Sequence, residues 1–302
     1  MASTSSSRWF WGIFLSLIFI GLVFIGISFL VLATVLQHDR TDYFGHGDKI
    51  GVVEINDVIM MSEGTVRQIK KYREDKSIKA IILRINSPGG GVAASQEIYE
   101  EVKKTRESGK PIVVSMSSIA ASGGYYISCG ANLIVANPGT LTGSIGVIAE
   151  FITIKDLADK LGIQQNVFKS GELKDAGNPF RSMTEKDKAY FQDVVDNTFG
   201  QFLEVVSKER KINMDTLKVY ANGRVFTGLQ AKKLGLIDSI GTYEDAIRIT
   251  ATLAGIKGEP TLIKERKRFS FFEEFFGASI DDVKDLKDRL FSEPILQYKF
   301  TP

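Results

Sequence analysis

Residues Trp9 to Leu36 run WFWGIFLSLIFIGLVFIGISFLVLATVL without one charged side chain. A water-soluble domain can hide such a stretch only as a wholly buried helix, whereas a helix of about 20 apolar residues crosses a bilayer. At 28 residues the run also exceeds the roughly 7–15-residue apolar region of a cleaved signal peptide, and no small-residue cleavage site closes it. It is therefore expected to be a retained, single-pass transmembrane anchor, with Trp9 and Trp11 at one interface and Tyr43 and Phe44 near the other. Arg8 flanks one end; Arg40 and Lys49, beside Asp39 and Asp42, flank the other, so charge alone sets no orientation. Residues 1–8 read as a short Ser/Thr-rich tail and 37–48 as a polar tether.

From Lys49 the pattern changes to strands alternating with helices. Ile50–Ile55 and Ala80–Ile85 are β-branched, apolar runs; Val66, Ile69 and Tyr72, then Ala94, Ile98 and Val102, recur at helical spacing. Val113–Met116 and Leu133–Ala136 read as further strands, Ile154–Leu161 as a helix and Gln165–Phe168 as a strand. A long helix is expected after a capping box at Ser182-x-x-Glu185, with Phe191, Val195, Thr198, Phe202 and Val205 on its apolar stripe, and another capped near Thr227. This alternation argues an α/β fold with a parallel sheet over residues 49–258. Residues 259–302 form a Phe-rich extension, in which a basic run, Lys264–Arg268, precedes Phe269, Phe271, Phe272, Phe275 and Phe276. Its Phe face is expected to pack on its own domain or a neighbouring subunit, with a membrane surface as the alternative.

What is missing narrows the chemistry. Both histidines, His38 and His46, precede Lys49, so a Ser-His-Asp site and a His-based metal centre are excluded from the domain. The lone cysteine, Cys129, allows no intramolecular disulfide and no Cys-based zinc site, and reads as a small buried hydrophobe. A net charge of +2 gives no reason to expect a nucleic acid partner. No cofactor or metal is implied.

In Pro111–Asn132 the β-branched run breaks into Ala120-Ala121-Ser122-Gly123-Gly124 before an apolar pattern resumes. A hydroxyl where a strand gives way to a helix is well placed for a nucleophile, although a capping serine would look the same. Thr142-Gly143-Ser144-Ile145-Gly146 holds a second candidate; position favours Ser122, which opens a helix, over Ser144, which reads as opening a strand. Without histidine, the remaining activator for a serine is a lysine acting as general base. A free lysine has a pKa near 10.4 and must be brought to roughly 7–8 by desolvation before it can take a proton at neutral pH. Lys174 is the candidate, in a Gly-flanked polar loop, Lys169–Arg181, rather than in an exposed charged run such as Lys70-Lys71. Asn86–Gly91 supplies glycines that let backbone approach a substrate, so Gly89 and Gly123 are the candidate oxyanion donors. No phosphate-binding glycine motif is present in that loop.

Together these stretches resemble the bacterial signal peptide peptidase A family. The match lies in Asn86-Ser87-Pro88-Gly89-Gly90, Ala120–Tyr126, Leu141–Gly146, Ser170–Asp175 around Lys174, and Gly223–Gly228. The length resembles the short, single-repeat, membrane-anchored form. The resemblance implies a crotonase-like or Clp-protease-like fold and a serine–lysine endopeptidase. On the matching positions Ser122 is the nucleophile, Lys174 the general base and Ser144 the hydroxyl that orients it, with Gly89 and Gly123 forming the oxyanion hole. It also implies a homo-oligomer pairing Ser122 of one subunit with Lys174 of its neighbour. Its substrates would be hydrophobic peptides such as cleaved signal peptides, and its place the cell inner membrane with the domain on the periplasmic side. Two alternatives remain at this point: a crotonase-type acyl-CoA enzyme and an inactive scaffold of the same fold.

Overall fold

The computed structural model describes residues 5–36, 42–44, 47–265 and 297–299; the Phe-rich run of the extension lies outside them. Helix α1 spans Ser5–Leu36, and its Trp11–Leu30 portion is long and apolar enough to cross a membrane. It begins inside the expected tail, since serine is tolerated in the first turn of a helix.

The remaining residues form a separate compact unit. It opens with β1 (Asp42–Phe44), β2 (Lys49–Asn56), α2 (Glu63–Glu74), β3 (Ile78–Ser87), β4 (Gly89–Gly91), α3 (Val92–Glu107) and β5 (Ile112–Ala121). A short helix α4 (Gly123–Ser128) leads to β6 (Leu133–Ala136) and β7 (Leu141–Gly143). An arm then carries α5 (Lys155–Lys160) and a 3₁₀ turn at Glu172–Asp175, before the long α6 (Glu185–Arg210). The chain continues through α7 (Met214–Tyr220), β8 (Val225–Thr227), α8 (Gly228–Lys233), β9 (Ser239–Ile240), α9 (Tyr243–Leu253) and β10 (Thr261–Lys264), and β11 (Gln297–Lys299) is its last described segment.

The main sheet runs in the order β1-β10-β2-β3-β5-β6-β9, with β7 continuing beside the end of β5 and β8 beside β7. The pairs from β10 to β9, and β5 with β7, are parallel; β7–β8 and the separate β4–β11 ribbon are antiparallel. The sheet is thus mixed rather than wholly parallel. Strands with helices on both faces are apolar throughout rather than alternating, which explains the run Ala80–Ile85. Ile81, Leu83 and Ile85 join the cluster holding Ile69, Tyr72, Ile98 and Tyr125, while Ala80 and Ile82 pack with Ile247, Ala251 and Ile256. Arg84 interrupts that run without being stranded: its guanidinium donates to Ser115 Oγ (2.7 Å), Ser117 Oγ (3.0 Å) and the Met116 carbonyl (3.3 Å), and lies over the Tyr243 ring.

Three local expectations are corrected. Gln165–Phe168 is not a strand; no strand among the described residues pairs with it, and Phe168 is 97% exposed. The capping box of α6 is formed by Thr184 and Asp187, whose side chain and backbone satisfy one another, rather than by Ser182 and Glu185. Ser144 follows a strand instead of opening one, because β7 lies before it. β10, beyond the expected end of the domain at 258, pairs with β2.

Leu83 is fully buried in a central strand. Leu83→Ala should therefore lower the unfolding free energy of the domain by about 2–5 kcal/mol, whereas exposed Lys70→Ala should change it by no more than about 0.5 kcal/mol, both read by denaturant titration.

Candidate active site

In parallel α/β sheets ligands collect at the carboxyl ends of the strands, and here two of those ends bring glycine and serine together. β3 ends in Ser87-Pro88-Gly89, and its neighbour β5 ends in Ala121-Ser122-Gly123, with Ser87 registered opposite Ala120. Gly89 has φ +104°, and a Cβ built there would meet the Tyr298 carbonyl oxygen at 2.0 Å and the Gly123 nitrogen at 2.8 Å. At Gly123 a Cβ would strike Ser95 Oγ at 2.5 Å and come within 3.3 Å of the Gly89 Cα. Only glycine allows the two loops to approach this closely.

Ser122 stands between strand and helix at φ 53° and ψ −113°, a conformation rare for a residue with a side chain. It is held there by two backbone bonds: its N–H donates to the Gly143 carbonyl and its carbonyl accepts from the Tyr126 N–H, each at 2.8 Å. The side chain is 1% exposed, and its Oγ has no hydrogen-bond partner among the described residues. Leaving a buried hydroxyl unpaired costs about 1–3 kcal/mol. The capping role that a serine at such a turn could play is absent, since no side-chain cap bond forms.

Ser144 lies beside it. The β5–β7 register sets Ala121 opposite Gly143, and Ser144 follows at φ 50°, buried, with its N–H donated to the Arg224 carbonyl at 2.9 Å. Ser122, Ser144, Gly89 and Gly123 are thus gathered at one place. Of the two expected oxyanion donors, Gly123 is the first residue of its helix, so its N–H has no intrahelical carbonyl to reach. The Gly89 N–H donates to Ser87 Oγ at 3.1 Å, and Ser87 Oγ in turn donates to the Asp57 carbonyl at 2.5 Å.

Lys174 is not joined to this group. It lies in the 3₁₀ turn of the arm, exposed, with no hydrogen bond or ion pair to its ammonium among the described residues. The turn itself is firmly tied. Arg181 donates to Asp175 at 2.9 Å and also grips Asp187 in the first turn of α6, while Lys169 reaches Asp175 at 2.6 Å. The Arg181 guanidinium, with Lys169, holds the Asp175 carboxyl down at about 2, and Arg181 keeps Asp187 well below the usual carboxylate range. The arm also exposes Ile152, Leu157, Leu161, Ile163 and Phe168. Cys129 is buried, and burial pushes its thiol up to about 12, consistent with an inert filler.

Sequence reasoning missed Ser87, Ser95 and Tyr298. Ser87 bridges the Gly89 N–H to the Asp57 carbonyl, and Ser95 Oγ fills the space where a Cβ on Gly123 would fall. Tyr298 sits in a segment distant in sequence that returns to β4.

The sequence profile described as Peptidase family S49 matches residues 104–257, and that described as Clp protease matches 52–136. A Synechocystis sp. protein, slr0021, whose name marks it only provisionally as a protease, is 41% identical over 211 residues, 69% of this chain and 75% of its own length. Protease 4 of Salmonella typhi is 38% identical over 220 residues, 70% of this chain but 35% of that protein. The chloroplastic serine protease SPPA of Arabidopsis thaliana is 36% identical over 198 residues, 65% of this chain and 29% of that protein.

The backbone at Ser122 stores conformational energy that glycine would not. Ser122→Gly should therefore be more stable than Ser122→Ala by about 1–3 kcal/mol in equilibrium unfolding; equal stability would show that the turn is unstrained.

Proposed function

The chain belongs to peptidase family S49, and on that premise we propose that it is a membrane-anchored serine–lysine endopeptidase acting on hydrophobic peptides. That it is a serine peptidase follows from the family, which displaces the acyl-CoA reading; the roles of individual residues are our assignment. The observation that carries it is the buried, unpartnered Ser122 hydroxyl at a strained strand-to-helix turn, between Ser144 and the Gly89–Gly123 contact.

In this reading Ser122 Oγ attacks the carbonyl carbon of the scissile peptide while its proton passes to the neutral amine of Lys174, positioned by the Ser144 hydroxyl. The negative charge that forms on the peptide oxygen is met by the N–H groups of Gly123 and Gly89. Gly89 is released from Ser87 for this step. As the C–N bond breaks, the lysine ammonium returns its proton to the leaving amine. A water molecule, deprotonated by the same amine, then attacks the acyl-serine ester; as the ester C–O bond breaks, the lysine ammonium returns the proton to Ser122 Oγ, which restores the free enzyme.

The base comes from a neighbouring copy. Three features support this: no bond links Lys174 to Ser122 within one chain, the turn bearing Lys174 is pinned by Arg181, and the arm around it carries exposed apolar side chains suited to a subunit contact. A head-to-tail interface of this kind forms a ring when its rotation closes on itself. α1 anchors the assembly in the membrane, with the domain on the periplasmic side of an inner membrane, where peptides left by signal cleavage are the natural class of substrate.

Ser122→Ala and Lys174→Ala should each lower cleavage of a hydrophobic fluorogenic peptide by about a thousandfold or more while leaving the protein folded, with Ser122→Ala no less stable to heat than the wild type because it loses an unpaired buried hydroxyl. Randomly mixed subunits of the two variants should recover about one quarter of wild-type activity, because one neighbouring pair in four then holds both groups. Full activity in either single variant removes the dyad, and a mixture that stays inactive removes its assembly between subunits.

A further inference from the structure

The Lys174 ammonium has no hydrogen bond or ion pair among the described residues, so its place is set through the backbone of its turn. That turn is Glu172–Asp175, and its last residue carries the main attachment. Arg181 donates to both carboxylate oxygens of Asp175, from Nε at 3.0 Å and from Nη2 at 2.9 Å. Nη2 also donates to the Asp175 carbonyl at 3.0 Å. The same guanidinium reaches both oxygens of Asp187, through Nη1 and Nη2. A planar guanidinium shared by two carboxylates fixes distance and angle together, which the point charge of a lysine does not.

Asp187 is itself built into α6. It is buried, and its carboxylate accepts from the Thr184 N–H at 2.9 Å in the capping box. Further along, α6 packs on the serine's helix, with the Phe202 and Tyr126 rings 5.1 Å apart. One long helix therefore links the turn that bears Lys174 to the helix that follows Ser122. α6 makes a second tie to the turn, from Lys186 to Glu172 at 3.0 Å, but both of those side chains are exposed. Exposed pairs of that kind contribute little. The attachment that counts is Arg181.

We propose that Arg181 is a positioning residue of the peptidase: it locks Asp175 to Asp187 and so sets where Lys174 presents its amine to the neighbouring subunit's serine. The proposal rests on the reading of Lys174 as general base. Arg181 touches no reacting atom and acts only through the turn. A catalytic group misplaced by about 1 Å costs about a hundredfold in rate, and the loss falls on kcat rather than KM because the interaction removed is one made in the transition state.

The test uses the full chain in detergent and a hydrophobic fluorogenic peptide. Arg181→Ala should lower kcat by about a hundredfold with KM unchanged. Asp175→Asn, which keeps the shape of the turn should Arg181→Ala fail to fold, should lower kcat by about tenfold, and Lys186→Ala should match the wild type. Mixing subunits then asks which half of the site has been damaged. Arg181→Ala with Ser122→Ala should recover about one quarter of wild-type activity, since the second subunit brings an intact arm, whereas Arg181→Ala with Lys174→Ala should gain nothing. Recovery in that last mixture, or a loss carried by KM, overturns the clamp. An inactive Lys174→Ala beside wild-type kcat in Arg181→Ala and Asp175→Asn overturns the clamp and leaves the base standing. Full activity in Lys174→Ala overturns the base reading, and the clamp falls with it. If Ser122→Ala and Lys174→Ala do not complement each other, the order of kcat among the three variants decides the clamp alone: the stated order supports it and equal values overturn it.

Discussion

The close contact of Gly89 with Gly123 is the constraint on which the rest of this site depends. Two parallel strands end side by side, and their loops meet with no side chain between them; a Cβ on either residue would collide with its neighbours. That contact brings the N–H of one loop beside the start of the helix formed by the other. It also fixes where Ser122 can stand. The serine takes a strained backbone, paired through its N–H to Gly143 and through its carbonyl to Tyr126, so its hydroxyl is placed by main-chain bonds on both sides and needs none of its own.

Much of this was legible in the sequence, for physical reasons that can be named. Ala80–Ile85 could only be a strand covered on both faces, and it lies at the centre of the sheet. The absence of histidine after Lys49 removed the commonest way of activating a serine and turned attention to lysine. The order of glycine-rich turns then carried a family resemblance, and the profile matches agree with it. Periodicity failed where main-chain pairing decides. Gln165–Phe168 has the composition of a strand but no partner among the described residues, and β7 ends before Ser144 because it pairs with β5 and β8 rather than continuing to Val147. Gln297–Lys299 has no distinctive pattern at all; its structure comes from Gly89–Gly91 and Ile148, which lie roughly 150 to 200 residues earlier in the chain.

The arm after β7 shows the complementary design. Its ion pairs among Lys169, Asp175, Arg181 and Asp187 fix the turn bearing Lys174, yet its apolar side chains are exposed and the Lys174 ammonium has no hydrogen bond or ion pair among the described residues. A segment so firmly shaped and so poorly buried is suited to completing a neighbour's site. In that arrangement the desolvation that a lysine base needs would arrive only with assembly, and an isolated subunit would hold a serine without a base.

The most direct measurement of the central claim is covalent. A fluorophosphonate reagent reacts with a serine only where a base has made it nucleophilic, and peptide mass mapping identifies the residue modified. Applied to the full chain in membranes, it should mark Ser122 and no other serine, and the mark should disappear in Lys174→Ala. Modification of Ser144 instead, or labelling of Ser122 that is indifferent to loss of Lys174, would contradict the account.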